Sequence, residues 1–349
     1  MKRILCFSLI VVLSLFVLIG CGSSDKPSPE SPDTEGTAPS ETYSFRLATH
    51  YNTIHPGYAA LERIVADLAE RSNGAIQITI YPSSQLGDYT LTYEDLMRGS
   101  VDLALIPIPS QYDSRLEMNF IPYLVTDYAD METAFGPDSY FFQEYTKIHS
   151  ELGVKLLGIY VEGLIGFGFT KLPAEYANAT ASKGNMVRCP AIEVYNLVTE
   201  DMGYSATTIP YADLYSALQT GIVDGWIGGT PQLNYSDFRD VIKYYIAYNV
   251  FVENIGFFMS KKVFDSLPAE YQSMIEDAFM KEAIYSHTVA EELDNEAIKG
   301  MEEYGIEIIY LTDGEMQAYV DLVKEKTWPK LADNIGEDVM NKLIEEAVK

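Results

Sequence analysis

The chain has 349 residues with 51 Asp and Glu against 24 Lys and Arg, a formal net charge of −27. This acid excess argues against a nucleic-acid partner and against an electrostatic grip on anionic lipid, since both need a basic surface. The cysteines are Cys6, Cys21 and Cys189, too few for a disulfide framework, so burial must hold the body together.

The first residues read as an export signal: Lys2 and Arg3 precede an apolar run from Ile4 to Ile19, shorter than the usual ~20 residues of a membrane span. "LIGC", Leu18 to Cys21, resembles the lipobox of bacterial lipoproteins. That resemblance implies a signal peptide over 1–20 and an acylated Cys21 that tethers the chain to the membrane. Cleavage there removes two positive charges and no acid, and leaves Cys189 without an intrachain partner. Residues 22–41, "GSSDKPSPESPDTEGTAPSE", hold no large apolar residue. The expectation is a disordered linker over 21–42, with a typical span of about 25 Å.

The remaining roughly 300 residues are long for one hydrophobic core and imply two lobes. "SFRLATHY" alternates as a strand does, and Tyr58 to Ala69 places Ala59, Leu61, Ile64, Val65 and Leu68 on one helical face. "AIQITIYP" alternates again. A helix around Tyr93 to Arg98 stops at Gly99, and "VDLALIP" follows as the continuous apolar run of a buried parallel strand. The β-α-β-α-β order predicts a parallel sheet with right-handed crossovers.

After "GVKLLGIYVEGLIGFGFT" the pattern restarts: strand "NMVRCP", helix 191–202, strand "ATTIP", helix 211–219 stopping near Gly221, and strand "IVDGWIGG". The runs "LMRGSVD" and "LQTGIVDG" therefore repeat one corner, a helix, a glycine and a Val-Asp strand start. Two readings of the repeat stand open. Either each lobe brings a strand end to a shared crevice, or both corners are only good turn chemistry. From "SKKVFDSLPAEYQSMIEDAF" onward the pattern is helical, with a strand-like break at "IEIIYL".

Six segments in order carry a family resemblance: "HP" at His55-Pro56, "NGAIQITIYPSSQLG", "LMRGSVDLAL", "KGNMVRCPAIEVY", "LYSALQTGIVDG" and "MSKKVFDSLPAEYQ". Over residues 44–345 the chain resembles the DctP-like solute-binding proteins of tripartite ATP-independent periplasmic (TRAP) transporters. The resemblance implies an α/β, two-lobed periplasmic-binding-protein-like (flytrap) fold, each lobe a mostly parallel sheet flanked by helices. The crossings would lie near residues 165 and 254, with 43–164 plus 254–293 as lobe I and 165–253 plus 294–349 as lobe II. It also implies an extracytoplasmic monomer, without cofactor or metal, that holds an organic carboxylate between its lobes and hands it to TRAP membrane permease subunits.

Arg188 stands at the family's arginine position, and a guanidinium is a planar, permanently charged fork that can meet both oxygens of a carboxylate. As a bare observation, an Arg in a strand otherwise forms a surface ion pair. The chain departs from the resemblance in two places. Phe167 stands near the position of a second family arginine, and Gly228 and Gly229 stand where many relatives carry Asn. With Trp226 and Phe167 beside Arg188, the expected ligand is a monocarboxylate with an apolar or aromatic body. The alternative for both aromatics is core packing. His50, Tyr51, His55 and Gln85 from the first lobe, and Tyr211, Gly228 and Phe251 from the second, complete the candidate site; either histidine is otherwise a structural hydrogen-bonding group.

Rival readings are a binding protein of an ATP-driven importer or sensor, a dicarboxylate-specific TRAP protein, and an exported hydrolase. The hydrolase finds little support: the sequence has neither G-x-S-x-G nor H-E-x-x-H.

Overall fold

Alternating and apolar runs form strands β1 (Tyr43–Thr49), β2 (Ile76–Tyr81), β3 (Leu103–Ile106), β4 (Val154–Leu164), β5 (Gly166–Phe169) and β6 (Met186–Cys189) in a computed structural model that describes residues 41–347. They are followed by β7 (Ser205–Thr208), β8 (Gly225–Gly229), β9 (Tyr244–Ile246), β10 (Val252–Ser260) and β11 (Glu307–Ile309). The expected signal peptide, the Cys21 lipid attachment and nearly all of the linker lie outside the described residues.

The strands build two sheets, ordered β2-β1-β3-β10-β4 and β11-β9-β5-β8-β6-β7. Each is parallel except for one reversed strand, β10 in the first and β5 in the second. The reason is connectivity. The parallel strands of both sheets end at a common cleft, so a strand that leaves one sheet through the cleft enters the other against its direction. β4 passes into β5 through Ile165, and β9 passes to β10 through 247–251. The two crossings are bonded to each other, Ile165 N–H to Phe251 O at 2.9 Å and Val250 N–H to Ile165 O at 3.0 Å.

The repeated corner has one structural meaning in both lobes. Gly99 and Gly221 cap their helices at φ 77° and 74°, in the left-handed region where a Cβ is disfavoured. Three residues later Asp102 and Asp224 each do two jobs. The carboxylate accepts the N–H of a neighbouring parallel strand, Arg46 at 2.7 Å and Met186 at 2.9 Å. The backbone carbonyl accepts from the segment joined to the reversed strand, Ser260 N–H at 2.9 Å and Thr170 N–H at 2.8 Å. The corner fixes both neighbours of the strand whose far end reaches the cleft.

A third connection is the helix Ala269–Tyr304, which packs on β4 and on the helix Pro56–Arg71, and also on the helix Pro231–Phe238 and β11. The division expected at 293/294 falls inside this uninterrupted helix. Next to it, buried Asp294 accepts the Leu164 N–H at 3.0 Å, at the edge of the crossing. Burial pushes its carboxyl up to about 8. The chain's last part also differs from the expected share of lobe II. The helix Glu337–Ala347 lies against the first-lobe helices Met131–Phe135 and Tyr140–Glu151, with Met340 and Leu343 buried and Tyr140 N–H donating to Glu346 at 2.9 Å. Its apolar face finds cover on the first lobe, and the preceding helix Asp313–Ile335 bridges to it through Trp328 Nε1–H on Pro122 O at 2.9 Å.

Gly221→Ala is expected to destabilise the protein by about 1 kcal/mol through backbone strain alone, because no atom lies within 4 Å of an added Cβ; urea unfolding measures it. Asp294 makes a second prediction. A carboxyl that keeps its proton up to about pH 8 when folded, but loses it near pH 4 when unfolded, makes stability fall as pH rises between those values. Asp294→Asn should flatten that decline in thermal unfolding curves.

Candidate functional site

Between the sheets, at the C-terminal ends of β3, β6 and β8, lies an enclosed cavity of about 20 Å³, roughly room for one water. Arg188 on β6 reaches it. Val187 and Cys189 on either side point into the core, and strand alternation turns the arginine to the other face. Its side chain is 1% exposed. Nε–H donates to Ile209 O at 2.8 Å, whereas Nη1 and Nη2 make no hydrogen bond to any described residue. The guanidinium carbon stands 5.9 Å from the centre of the Tyr211 ring, a cation-π contact. Gly228, at φ 117°, keeps space open beside it: an added Cβ would lie 3.5 Å from Nη1 and force a conformation that side chains avoid.

Two glutamates stand on the strands that cross between the lobes. Glu162 on β4 accepts from the Tyr51 and Thr230 hydroxyls, both at 2.6 Å. His55 Nε2 stands 3.3 Å away. The other His55 nitrogen, Nδ1, accepts from Gly57 N–H as the cap of the helix Pro56–Arg71, which fixes the remaining proton on Nε2, toward Glu162. Burial alone would push the Glu162 carboxyl up; His55, then Thr230 and Tyr51, reverse this and hold it below the ordinary carboxylate range. Glu253 on β10 faces the cavity with one long bond, from the Tyr195 hydroxyl at 3.3 Å. Burial, and behind it the charge of Glu162, push its carboxyl well above the usual range.

The remaining walls are Pro107, Pro190, Ile192 and Leu233, with the rings of His50, Tyr89, Tyr195 and Tyr211. Burial holds His50 neutral, its pKa lowered to about 3, and its Nδ1 has no hydrogen-bond partner among the described residues. His50 and Tyr211 also line a wider outer cleft of about 330 Å³ with Asn52, Ser83, Ser84 and Asp237, so these two rings separate the inner cavity from the opening. Besides the Tyr195–Glu253 and Thr230–Glu162 bonds, the lobes are joined around it by Ala191 N–H to the Tyr89 hydroxyl at 2.9 Å, Glu193 N–H to Ser110 Oγ at 3.1 Å, and Asn52 to Asp237.

Of the residues expected from sequence, Arg188, Tyr211, His50 and Gly228 meet at this cavity. Tyr51 and His55 stand one layer behind it, on Glu162. Trp226 and Phe167 do not line it. Trp226 donates to Asn234 Oδ1 at 3.0 Å and packs on Phe238, and Phe167 packs among Phe169, Tyr204 and Tyr248. Phe251 lies behind Tyr195, ring centres 4.5 Å apart. Gln85 is exposed on the loop after β2 and is not on the wall. Sequence reasoning passed over Glu162, Glu253, Tyr89 and Tyr195. A signal for the glutamates was present: each is a lone acid inside an apolar strand, in "IYVEGLIG" and "VFVENIGF", where a charge must be paired or put to use.

Two α/β lobes joined by crossing strands, with a cavity between them, have the architecture of a solute-binding protein. The sequence matches bacterial extracellular solute-binding protein family 7 (DctP) over residues 47–332, and the chain belongs to that family, the solute-binding proteins of TRAP transporters, which act outside the cytoplasm and are not enzymes. A solute-binding protein of Albidiferax ferrireducens is 25% identical over 279 residues, 77% of this chain and 79% of that one. Among solved structures, a TRAP periplasmic solute-binding protein of Desulfovibrio salexigens with bound orotic acid superposes with a TM-score of 0.80 at 22% identity, covering 88% of this chain and 99% of the other. The sugar acid binding protein DctPAm of Advenella mimigardefordensis, in complex with galactonate, gives 0.82 at 17% identity, with 88% and 98% covered. These likenesses place the fold.

Thr230→Val keeps the shape of the side chain but removes a donor from buried Glu162. The expected loss is about 1–3 kcal/mol of stability, read by chemical denaturation.

Proposed function

We propose that this chain captures a small organic acid outside the cytoplasm and delivers it to a TRAP permease, held at the membrane by lipid on Cys21. The observation that carries the reading is Arg188, buried at the cavity wall with two guanidinium nitrogens unbonded among the described residues. A carboxylate is the partner such a fork fits, because its two oxygens can take both nitrogens at once. The similar proteins bound to orotic acid and galactonate support an acid as ligand.

The finer proposal is a monocarboxylate. Arg188 is the one Lys or Arg among the residues lining the cavity, and the proline, isoleucine, leucine and tyrosine walls suit an apolar or aromatic body once the lobes part to widen a space that now holds about one water. A second carboxylate would meet Glu253 instead of a cation. The protein works as a monomer: the first lobe supplies Tyr89 and Pro107, the second supplies Arg188 and Tyr211, and hinge bending at the crossings brings them together over the ligand.

A thermal-shift screen of organic acids identifies ligands, and calorimetry follows with the Arg188 variants. Arg188→Ala is expected to weaken binding at least tenfold, about 1.4 kcal/mol. Arg188→Lys should recover only part of it, because an ammonium cannot pair with both oxygens in one plane. Unchanged affinity in Arg188→Ala would remove the carboxylate reading. A screen ranking succinate or malate above aromatic and branched monocarboxylates would reject the finer one.

A further inference from the structure

Glu253 is the cavity residue that an organic anion on Arg188 leaves unexplained. It comes from the first sheet and Arg188 from the second, and both line the same enclosed space without forming an ion pair with each other among the described residues. The register shift between Glu253 and Asn254 against β4 marks an irregularity at this residue, the kind of local bulge that re-aims a side chain beside a site. One oxygen accepts from the Tyr195 hydroxyl, and the other has no hydrogen bond to any described residue. The side chain is 4% exposed. A pure hydrocarbon placed against it would leave a buried polar oxygen unsatisfied, which interiors avoid. Among the other polar groups on the wall, the Tyr211 hydroxyl donates to Asp237 at 2.7 Å and the Arg188 Nε–H to Ile209, while the Arg188 Nη groups and the Tyr89 hydroxyl, which accepts from Ala191, make no hydrogen bond to Glu253.

We propose that Glu253 is a specificity-determining residue that accepts a hydrogen bond from the ligand, so that the site selects a short acid bearing a hydroxyl or ammonium group near its carboxylate over the same acid without one. This rests on the carboxylate reading of Arg188. The ligand then spans the cavity, with its acceptor end on the guanidinium and its donor end on the glutamate. Sites that satisfy a buried polar group through the ligand reject analogues lacking that group far more strongly than apolar pockets reject a missing methylene. The elevated carboxyl of Glu253 separates the two donors. An ammonium draws it into its charged form and releases a proton on binding, whereas a hydroxyl bonds to it without that release.

The test is calorimetry on the purified protein with butanoate, 2-hydroxybutanoate, 3-hydroxybutanoate and 2-aminobutanoate, then with the tightest ligand of an organic-acid screen and its donor-free counterpart. At least tenfold tighter binding of a donor-bearing member is expected, with the margin shrinking to less than twofold in Glu253→Leu, whose folding is checked by its unfolding temperature. Repeating the titration in two buffers of different ionisation enthalpy reads proton release, present for an amino acid and absent for a hydroxy acid. The proposal is overturned if the tightest ligand carries no such donor, if Glu253→Leu keeps the margin, or if the plain acid binds equally well once sodium or calcium is added, since a cation would then be the partner of Glu253. Loss of binding in Arg188→Ala together with an unchanged margin in Glu253→Leu refutes this inference and leaves the carboxylate reading standing. Unchanged binding in Arg188→Ala refutes both.

Discussion

A buried guanidinium with Nη1 and Nη2 unbonded among the described residues is the constraint on which the rest of this structure turns. Transfer of an unpaired charge into a protein interior is costly, and hydrogen bonds to the backbone recover only part of it. Ile209 O holds Nε and the Tyr211 ring lies nearby. Gly228 then withholds the side chain that could have filled the remaining space. An arginine arranged this way favours any state in which an anion meets it. The cavity around it is formed where Tyr89 and Pro107 from one lobe meet Pro190 and Ile192 from the other.

The two lobes achieve this with one device used twice. In each, a left-handed glycine ends a helix, and an aspartate three residues on ties the next strand to its parallel neighbour and to the segment of the reversed strand. The carboxylate and the carbonyl of one residue act on opposite sides of the strand, which makes the corner hard to replace by an ordinary turn. This decides between the two readings of the repeat: both corners are good turn chemistry, and both lead strands to the shared cleft.

Much of this could be read from residues alone. The strands and helices with clear period, including the strand around Arg188 and the helix stops at Gly99 and Gly221, stand close to where periodicity puts them. The first crossing falls at Ile165, inside a run whose glycines and apolar residues gave a strand without saying where it changed sheets. Residues 107–152, with few periodic signals, form short helical turns and two helices; proline, glycine and isolated aromatics there pack by tertiary context. The aromatic neighbours of Arg188 were the least legible part. Trp226 pairs with Arg188 in register across β6 and β8, yet its ring turns to Asn234 and Phe238. Adjacency in sequence or sheet does not tell which ring faces a cavity, since that depends on what the opposite lobe brings.

The two glutamates gain meaning from where they sit. Glu162 lies three residues before the crossing at Ile165, and Glu253 lies just after the return, paired with Gly163 across the sheet. Both ride on the first sheet beside the crossings. Their partners divide differently. Tyr51 and His55 belong to the first lobe and stay with Glu162, while Thr230, Tyr195 and Arg188 belong to the second. Glu162 therefore has partners from both lobes, whereas the one hydroxyl on Glu253 and the nearby guanidinium both come from the second lobe. The carboxyl raised by burial and by Glu162 is thus the one whose hydrogen-bond partner among the described residues comes from the other lobe, and a donor on a ligand would add most there.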